Sequence, residues 1–189
     1  MKVVVLEEVG HDLALRGMAY SYKDRALDPD TWWEGQRAKA LKRAPLLAPM
    51  DAGHNKFLRQ IELWVDIEAC RAWWSEFDTY KVGTVADSES TMHTLSKRPA
   101  TYADFEEGTD PYIVDVFNTI LAENKGDITK IKMNLPEGFL QRRMVTLNYG
   151  VLRTIIGQRE GHRLKWWQVF IDEIMAQVAH PEYLKKPES

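Results

Sequence analysis

The stretch Phe57-Leu58-Arg59-Gln60-Ile61-Glu62-Leu63-Trp64-Val65-Asp66-Ile67 is where the fold can be read. Ile61, Leu63, Val65 and Ile67 alternate with Gln60, Glu62 and Asp66, so the spacing predicts a strand over 57–67 with one buried face. Immediately after it, 68–74 reads as a short helix. The polar, weakly periodic run 75–110 then reads as a long loop, and such a loop in a compact domain is functional or disordered.

Working backward, the β-branched run 2–6 predicts a short buried strand, and 11–22 a helix with Leu13, Met18 and Tyr20 as core contacts. Asp28-Pro29-Asp30 punctuates the chain; Asp30 or Thr31 caps a helix to about Arg43, and Pro45 and Pro49 close the segment. Working forward, 111–125 is an amphipathic helix with Ile113, Val116, Phe117, Ile120 and Leu121 as its stripe and Gly126 as its stop. Leu135-Pro136-Glu137-Gly138 is a turn, and 139–147 a strand with Arg142 and Arg143 on opposite sides. Asn148 caps a helix through Arg159, Gly161 breaks it, and a last helix over 163–179 turns Leu164, Trp167, Ile171, Ile174, Met175 and Val178 inward until Pro181 ends it. Strands and helices mix without regular βαβ alternation, which predicts an α+β fold.

The bulk numbers narrow the function. At 189 residues, 44% hydrophobic and 28% charged, the chain is expected to form one globular domain over 1–189. A formal net charge of -3 argues against a general nucleic-acid surface, which needs a basic excess, but is compatible with a local basic pocket for a small anion. A lone Cys70 cannot form an intramolecular disulfide and fits a reducing cytoplasm. The apolar run after Met1 meets Glu7 and Glu8 at once, so no signal peptide is expected, and no stretch approaches the roughly 20 apolar residues of a membrane span.

No phosphate loop, dinucleotide glycine fingerprint or zinc-ligand spacing occurs, so no metal is expected. Cys70, beside Trp73 and Trp74, reads as packing rather than as a nucleophile. Trp32-Trp33, Trp73-Trp74 and Trp166-Trp167 read as core or oligomer-interface anchors, with stacking on a flat ring the lesser reading. Asn148, Arg153, Arg159, His162 and Arg163 crowd a strand-to-helix junction and a helix break. Arg159 could aim a bidentate guanidinium into a cleft or simply sit in the last helical turn and favour the helix dipole; spacing alone leaves these readings even.

The order of segments resembles the flavin-dependent thymidylate synthases, which methylate deoxyuridylate with a reduced flavin and a folate. The resemblance runs from Gly10-His11-Asp12-Leu13 to the last helix. Gly53-His54-Asn55-Lys56-Phe57 is similar to the family's Gly-His segment, and Cys70-Arg71-Ala72-Trp73-Trp74 to its Arg-Gln-Trp helix. Leu135-Pro136 resembles its Leu-Pro turn, with Lys132 where the family has a substrate-binding Arg. Most specific is Thr146-Leu147-Asn148, Leu152 and Arg159, which resembles its Thr-x-Asn…Leu…Arg run.

The resemblance implies an α+β fold with a mixed sheet and flanking helices, assembled as a homotetramer with shared active sites. It implies FAD against Asn148, His162 and His93; a dUMP-like pyrimidine nucleotide against Arg71, Ser90, Lys132 and Arg159; and Arg159 and Ser90 as the catalytic pair. The family's R-H-R-x-x-S-x-N-x-x-S-x-R-Y signature, however, meets Ser75-Glu76-Phe77 in place of its Arg-His-Arg. After an insertion, Ser90 stands for the last Ser, Met92 for the Arg and His93 for the Tyr. Each lost charge-assisted bond to a flavin diphosphate is worth roughly 1.5–3 kcal/mol, and Lys81, Lys97 and Arg98 are the candidates to restore that charge. The 75–80 and 88–93 stretches resemble those of phage and prophage proteins. The expectations are therefore a pyrimidine-modifying enzyme, a nucleotide-binding module without catalysis, or a structural oligomer in which Arg159, Lys132 and Ser90 are solvated or ion-paired with no cavity joining them. The first two include a cleft lined jointly by Arg159 and residues 75–94.

Overall fold

A computed structural model describes residues 1–23, 26–50, 53–95 and 97–185. Its centre is the predicted strand, here β2 (Glu62–Cys70), which carries Leu63, Val65, Ile67 and Ala69 on a fully buried face. The strand starts later than its apolar pattern suggests. Phe57 and Leu58 are adjacent and both buried, which a strand of period 2 cannot achieve on one face, and Lys56–Gln60 forms a 3-10 turn instead.

β2 pairs antiparallel with β1 (Lys2–Val9) and with β4 (Leu140–Asn148), and β4 pairs antiparallel with β3 (Thr84–Ser88), giving the order β1-β2-β4-β3. β1 was expected to be buried, but it is an edge strand in which Val3 alone is buried. Its free edge is covered by Gln177 of α8 (Lys165–Gln177), which accepts from Val5 N–H at 2.9 Å and donates to Val3 C=O at 3.0 Å.

The helix α1 (His11–Ala19) buries Ala14, Leu15 and Ala19; of the expected core contacts Met18 packs against the core, whereas Leu13 is 70% exposed and Tyr20 faces solvent. The buried residues face the core where α1 lies against α2 (Pro29–Leu47). Asp28 caps α2, accepting from Asp30 and Thr31 N–H at 3.1 Å, so the cap falls before the expected residues. The helix also runs through Pro45, which cannot donate to the carbonyl of residue 41.

The expected loop over 75–110 is largely ordered. It contains the end of α3 (Arg71–Phe77), 3-10 turns at Asp78–Tyr80 and Tyr102–Asp104, β3, and α4 (Thr91–Thr94); Ser96 lies outside the described residues. β3 escapes sequence reading because it is exposed nearly throughout and carries no apolar alternation.

α5 (Pro111–Glu123), α6 (Ile128–Met133) and α7 (Tyr149–Arg159) complete the helices alongside α8. Within α5, Val114 and Phe117 are buried while Ile113 and Val116 of the expected stripe remain exposed. The main core lies between the sheet and α1, α2, α3, α7 and α8, and a smaller one gathers Leu95, Phe105, Phe117 and Phe139 at the far end. Trp32, Trp33, Trp73, Trp74 and Trp167 all lie in the main core, so they give no surface for an oligomer interface. Cys70 is fully buried, and burial pushes its thiol pKa up, which makes it a packing residue. Among the described residues no helix is long and apolar enough to cross a membrane.

Candidate functional site

β4 runs directly into α7, with Asn148 at the junction. Its Oδ1 accepts from Val151 N–H at 3.0 Å and so caps α7 as its position predicts. Arg159 sits at the other end of the same helix, about 16 Å away at 1.5 Å per residue. Within one chain, then, Asn148 and Arg159 occupy separate places.

Arg159 is engaged by its own protein. Nη1 donates to Glu76 Oε2 at 3.0 Å, Nε donates to the Tyr80 hydroxyl at 2.9 Å, and the guanidinium lies 4.5 Å from the Trp167 ring centroid. The same Glu76 oxygen accepts from Trp167 Nε1 at 2.7 Å, and His162 Nε2 lies 3.2 Å from Arg159 Nη1. The side chains of Arg159 and Glu76 are 16% and 30% exposed, so the pair is mostly withdrawn from water. Glu76 stands where the resemblance places the His of the Arg-His-Arg triplet, so a carboxylate now meets this guanidinium. Residues 75–94 thus reach Arg159 through Glu76 and Tyr80 as a closed network; no described cavity is lined by Arg159.

The remaining predicted residues are dispersed. Ser90 precedes α4 and is exposed, its carbonyl accepting from Thr94 Oγ1 at 2.9 Å; His93 is exposed in α4 and Lys132 in α6. Arg71 opens α3 and pairs with Glu137 at 3.3 Å. Lys97 and Arg98 line a cavity of about 500 Å³, but Arg98 is already held by Asp104 through bonds of 2.6 and 2.7 Å, and Glu68 and Glu89 face the same space. That cavity offers an anion little net attraction.

A different region has the opposite balance. Between α1, α2 and the 53–60 segment runs an open groove of about 1340 Å³, to which Lys39, Lys42, Arg43, His54 and Lys56 contribute charge or polarity, and Tyr20, Tyr22 and Phe57 contribute rings. Lys39, Lys42 and Arg43 fall three and one positions apart on α2, which sets them on one side of the helix. Arg43 lies 4.5 Å from the Tyr22 ring centroid, a cation–π contact, and has no carboxylate partner among the described residues. Across Gly53 and Lys56 the groove meets a smaller pocket of about 340 Å³ lined by Asn55, Arg59, Gly150, Arg153 and Thr154.

Both linings, among the described residues, contain no carboxylate. Arg153 donates one Nη to Pro49 C=O at 3.2 Å, while its buried Nε has no partner among the described residues. Two glycines shape this place. Gly53 has φ 91°, and a Cβ on Gly150 would come within 3.1 Å of Arg59 Cγ and 3.2 Å of Asn148 Oδ1. Sequence reading quoted Gly53-His54-Asn55-Lys56-Phe57 but gave those residues no role; the cations of α2 and Arg59 carried no motif that would have marked them. Among the described residues no cluster of His, Cys, Asp and Glu could hold a metal ion.

The donor set suits a phosphate-bearing cofactor: several cations and an arginine Nε that have no partner among the described residues, with aromatic rings nearby, can hold a diphosphate and a flat ring together. Lys56, Arg59 and Arg153 could hold its phosphates, with Asn148 adjoining through Gly150.

No family model matches the sequence, and no curated protein matches it. Solved structures do resemble the fold. Thymidylate synthase X from Helicobacter pylori, in a crystal structure with FAD and dUMP, superposes with a TM-score of 0.79 over 97% of each chain at 14% identity. A second structure of the flavin-dependent thymidylate synthase from Helicobacter pylori, complexed with FAD and dUMP, gives a TM-score of 0.81 over 98% of each chain at 13% identity. With its antiparallel sheet, flanking helices and coverage of nearly the whole chain, this protein has the flavin-dependent thymidylate synthase fold.

Proposed function

We propose that the chain is a nucleotide-binding protein on this fold, taking FAD along the 53–60 segment and a dUMP-like pyrimidine nucleotide as its second ligand. The observation that carries the reading is the joined groove and pocket, where Lys39, Lys42, Arg43, Lys56, Arg59 and Arg153 face open space without a carboxylate among the described residues. The Helicobacter pylori proteins of the same fold hold both nucleotides. When bound, flavin supplies redox chemistry; the residues of this chain bind and orient it.

Between methylation of the pyrimidine at C5 and binding without catalysis, the Glu76–Arg159 pair favours binding. A guanidinium committed to a carboxylate, a phenol and an indole ring has little left to polarise a pyrimidine carbonyl. We read the exposed apolar side of α5, where Tyr112, Ile113 and Val116 face outward, as the surface of a homotetramer. The single, buried Cys70 fits a reducing compartment, and we read the protein as cytoplasmic.

The deciding experiment is calorimetry of the purified protein with FAD and with dUMP, beside an absorbance spectrum of the protein as isolated. Retained yellow flavin or micromolar FAD binding supports the proposal. Failure to bind either nucleotide overturns it and leaves the fold alone.

A further inference from the structure

His11 opens α1 and His180 follows α8, and the fold stacks their imidazoles at 3.7 Å between centroids and 16° between planes. His11 Nε2 lies 3.0 Å from the Tyr183 hydroxyl, and His180 Nδ1 lies 3.3 Å from Glu182 Oε1. His180 N–H donates to the Tyr149 hydroxyl at 3.2 Å, and Ala179 N–H donates to Glu8 Oε2 at 2.8 Å. A 3-10 turn, Pro181–Tyr183, is thereby tied to β1, α1 and α7 at once.

We propose that this imidazole stack is a pH-sensitive latch on the 178–185 segment, and that its closure supports the nucleotide groove. The support runs through packing. The Tyr183 ring meets Phe57 edge-on at 5.6 Å, and Phe57 is a wall of the groove; Tyr183 also meets Tyr149, the first residue of α7 after Asn148, at 6.3 Å. The stack holds as long as at most one of the two rings carries charge. A second proton sets two cations face to face and removes the acceptor on His11 that the Tyr183 hydroxyl can use.

The groups facing His11 are His180, Tyr183 and Glu182 from the C-terminal side, Glu8 from β1 and Asp12 from α1 itself. Glu8, Asp12 and Glu182 favour the proton, but burial and His180 outweigh them and lower the His11 pKa from 6.5. Asp12 is in any case already held by Arg37 at 2.6 Å and by Trp33 Nε1 at 3.2 Å. With the folded pKa below the unfolded one, the unfolded or unlatched segment binds more protons. Stability of the latch is therefore complete above 6.5 and is lost as pH falls from 6.5 toward the lowered value.

Hydrogen–deuterium exchange of 178–185, corrected for intrinsic rates and compared at about pH 7.5 and about pH 5.5, tests this without any ligand. The wild type is expected to lose protection there by about fivefold or more in acid, while His11→Phe, which keeps the stack but takes no proton, stays flat. His180→Phe provides the same comparison should His11→Phe not fold. Equal protection at both pH values in the wild type, or the same loss in the variants, overturns the latch. The regulatory half rests on the proposed function: FAD affinity should fall in acid for wild type and not for His11→Phe. An affinity indifferent to pH overturns the coupling to the groove. No FAD binding at either pH, with exchange behaving as stated, overturns the nucleotide reading while the latch stands.

Discussion

The two ends of α7 are both rich in positive charge, and the fold treats them in opposite ways. At the C-terminal end, Arg159 meets Glu76, Tyr80 and Trp167 and becomes a strut between α3, α7 and α8. At the N-terminal end, Arg153 stands beside Arg59 and Lys56 with no carboxylate in the described lining, and its Nε lacks a partner among the described residues. Whether a cation is structural or available to a ligand is thus decided by the nearest acid. That acid comes from a different part of the chain, 83 positions away in the case of Arg159.

Glu76→Ala should produce the largest effect. It leaves the mostly buried Arg159 without its counter-charge and Trp167 Nε1 without an acceptor, so a loss of about 3 kcal/mol is expected, the lower part of the range for breaking a buried pair. Lys42→Ala, in the open groove, should move stability by no more than about 0.5 kcal/mol. Urea unfolding of the two variants side by side measures both, and similar small losses would erase the distinction between the two ends.

Ligand affinity should show the mirror image. Arg59→Ala is expected to weaken FAD binding by about 1.5–3 kcal/mol, the range for hydrogen bonds to a charged group, with little change in melting temperature. Arg159→Ala should instead lower the melting temperature and leave FAD affinity nearly unchanged, and Arg159→Lys should recover part of the stability through Glu76. Calorimetry paired with thermal melts reads both columns; FAD affinity lost in Arg159→Ala and kept in Arg59→Ala would reverse the assignment.

Asn148→Ala tests how far the binding end of α7 extends. Losing the bond from Val151 N–H should cost about 1 kcal/mol of stability, the usual value for an N-cap. Because Asn148 adjoins Gly150 at the rim of the small pocket, a change in FAD affinity beyond the change in stability would extend the binding end to this residue.

The smallest effect is expected at Asp104. Arg98 and the Thr101 backbone hold its carboxyl pKa down to about 2, from 3.8. The folded pKa is the lower one, so the stabilisation is present above 3.8 and is lost as pH falls through about 2. Since Arg98 is largely exposed, solvent screening should hold the contribution below about 1 kcal/mol. An acid titration of stability in Arg98→Ala against wild type checks it, and a difference well above that value would mark the neighbouring cavity as more shielded than its charges suggest.

Periodicity in the sequence served well wherever one face was buried and the other wet. Residues 62–67 of the central strand, the Asn148 cap, the Gly161 stop and the inward residues Trp167, Ile171 and Ile174 of α8 all follow from local pattern. It failed where the partner decided the face. Leu13 looks like a core residue by hydropathy, yet the docking of α1 on α2 and the core turns Ala14, Leu15 and Ala19 inward and leaves Leu13 in solvent. Edge strand β3 was invisible, since hydrogen bonding to β4 and not burial makes it a strand.

The sequence by itself determined the α+β class, the main strand and helices and, through Asn148, Leu152 and Arg159 at their spacing, a likeness to flavin-dependent thymidylate synthases that the fold bears out. Local periods and caps act over a few residues, so they can be read without knowing what packs against what. Only the tertiary structure decided which cations are spent on carboxylates and which face a groove. Coulomb attraction falls with distance in space and takes no account of distance along the chain, and Glu76 reaches Arg159 only once α3 and α7 have docked on the same core.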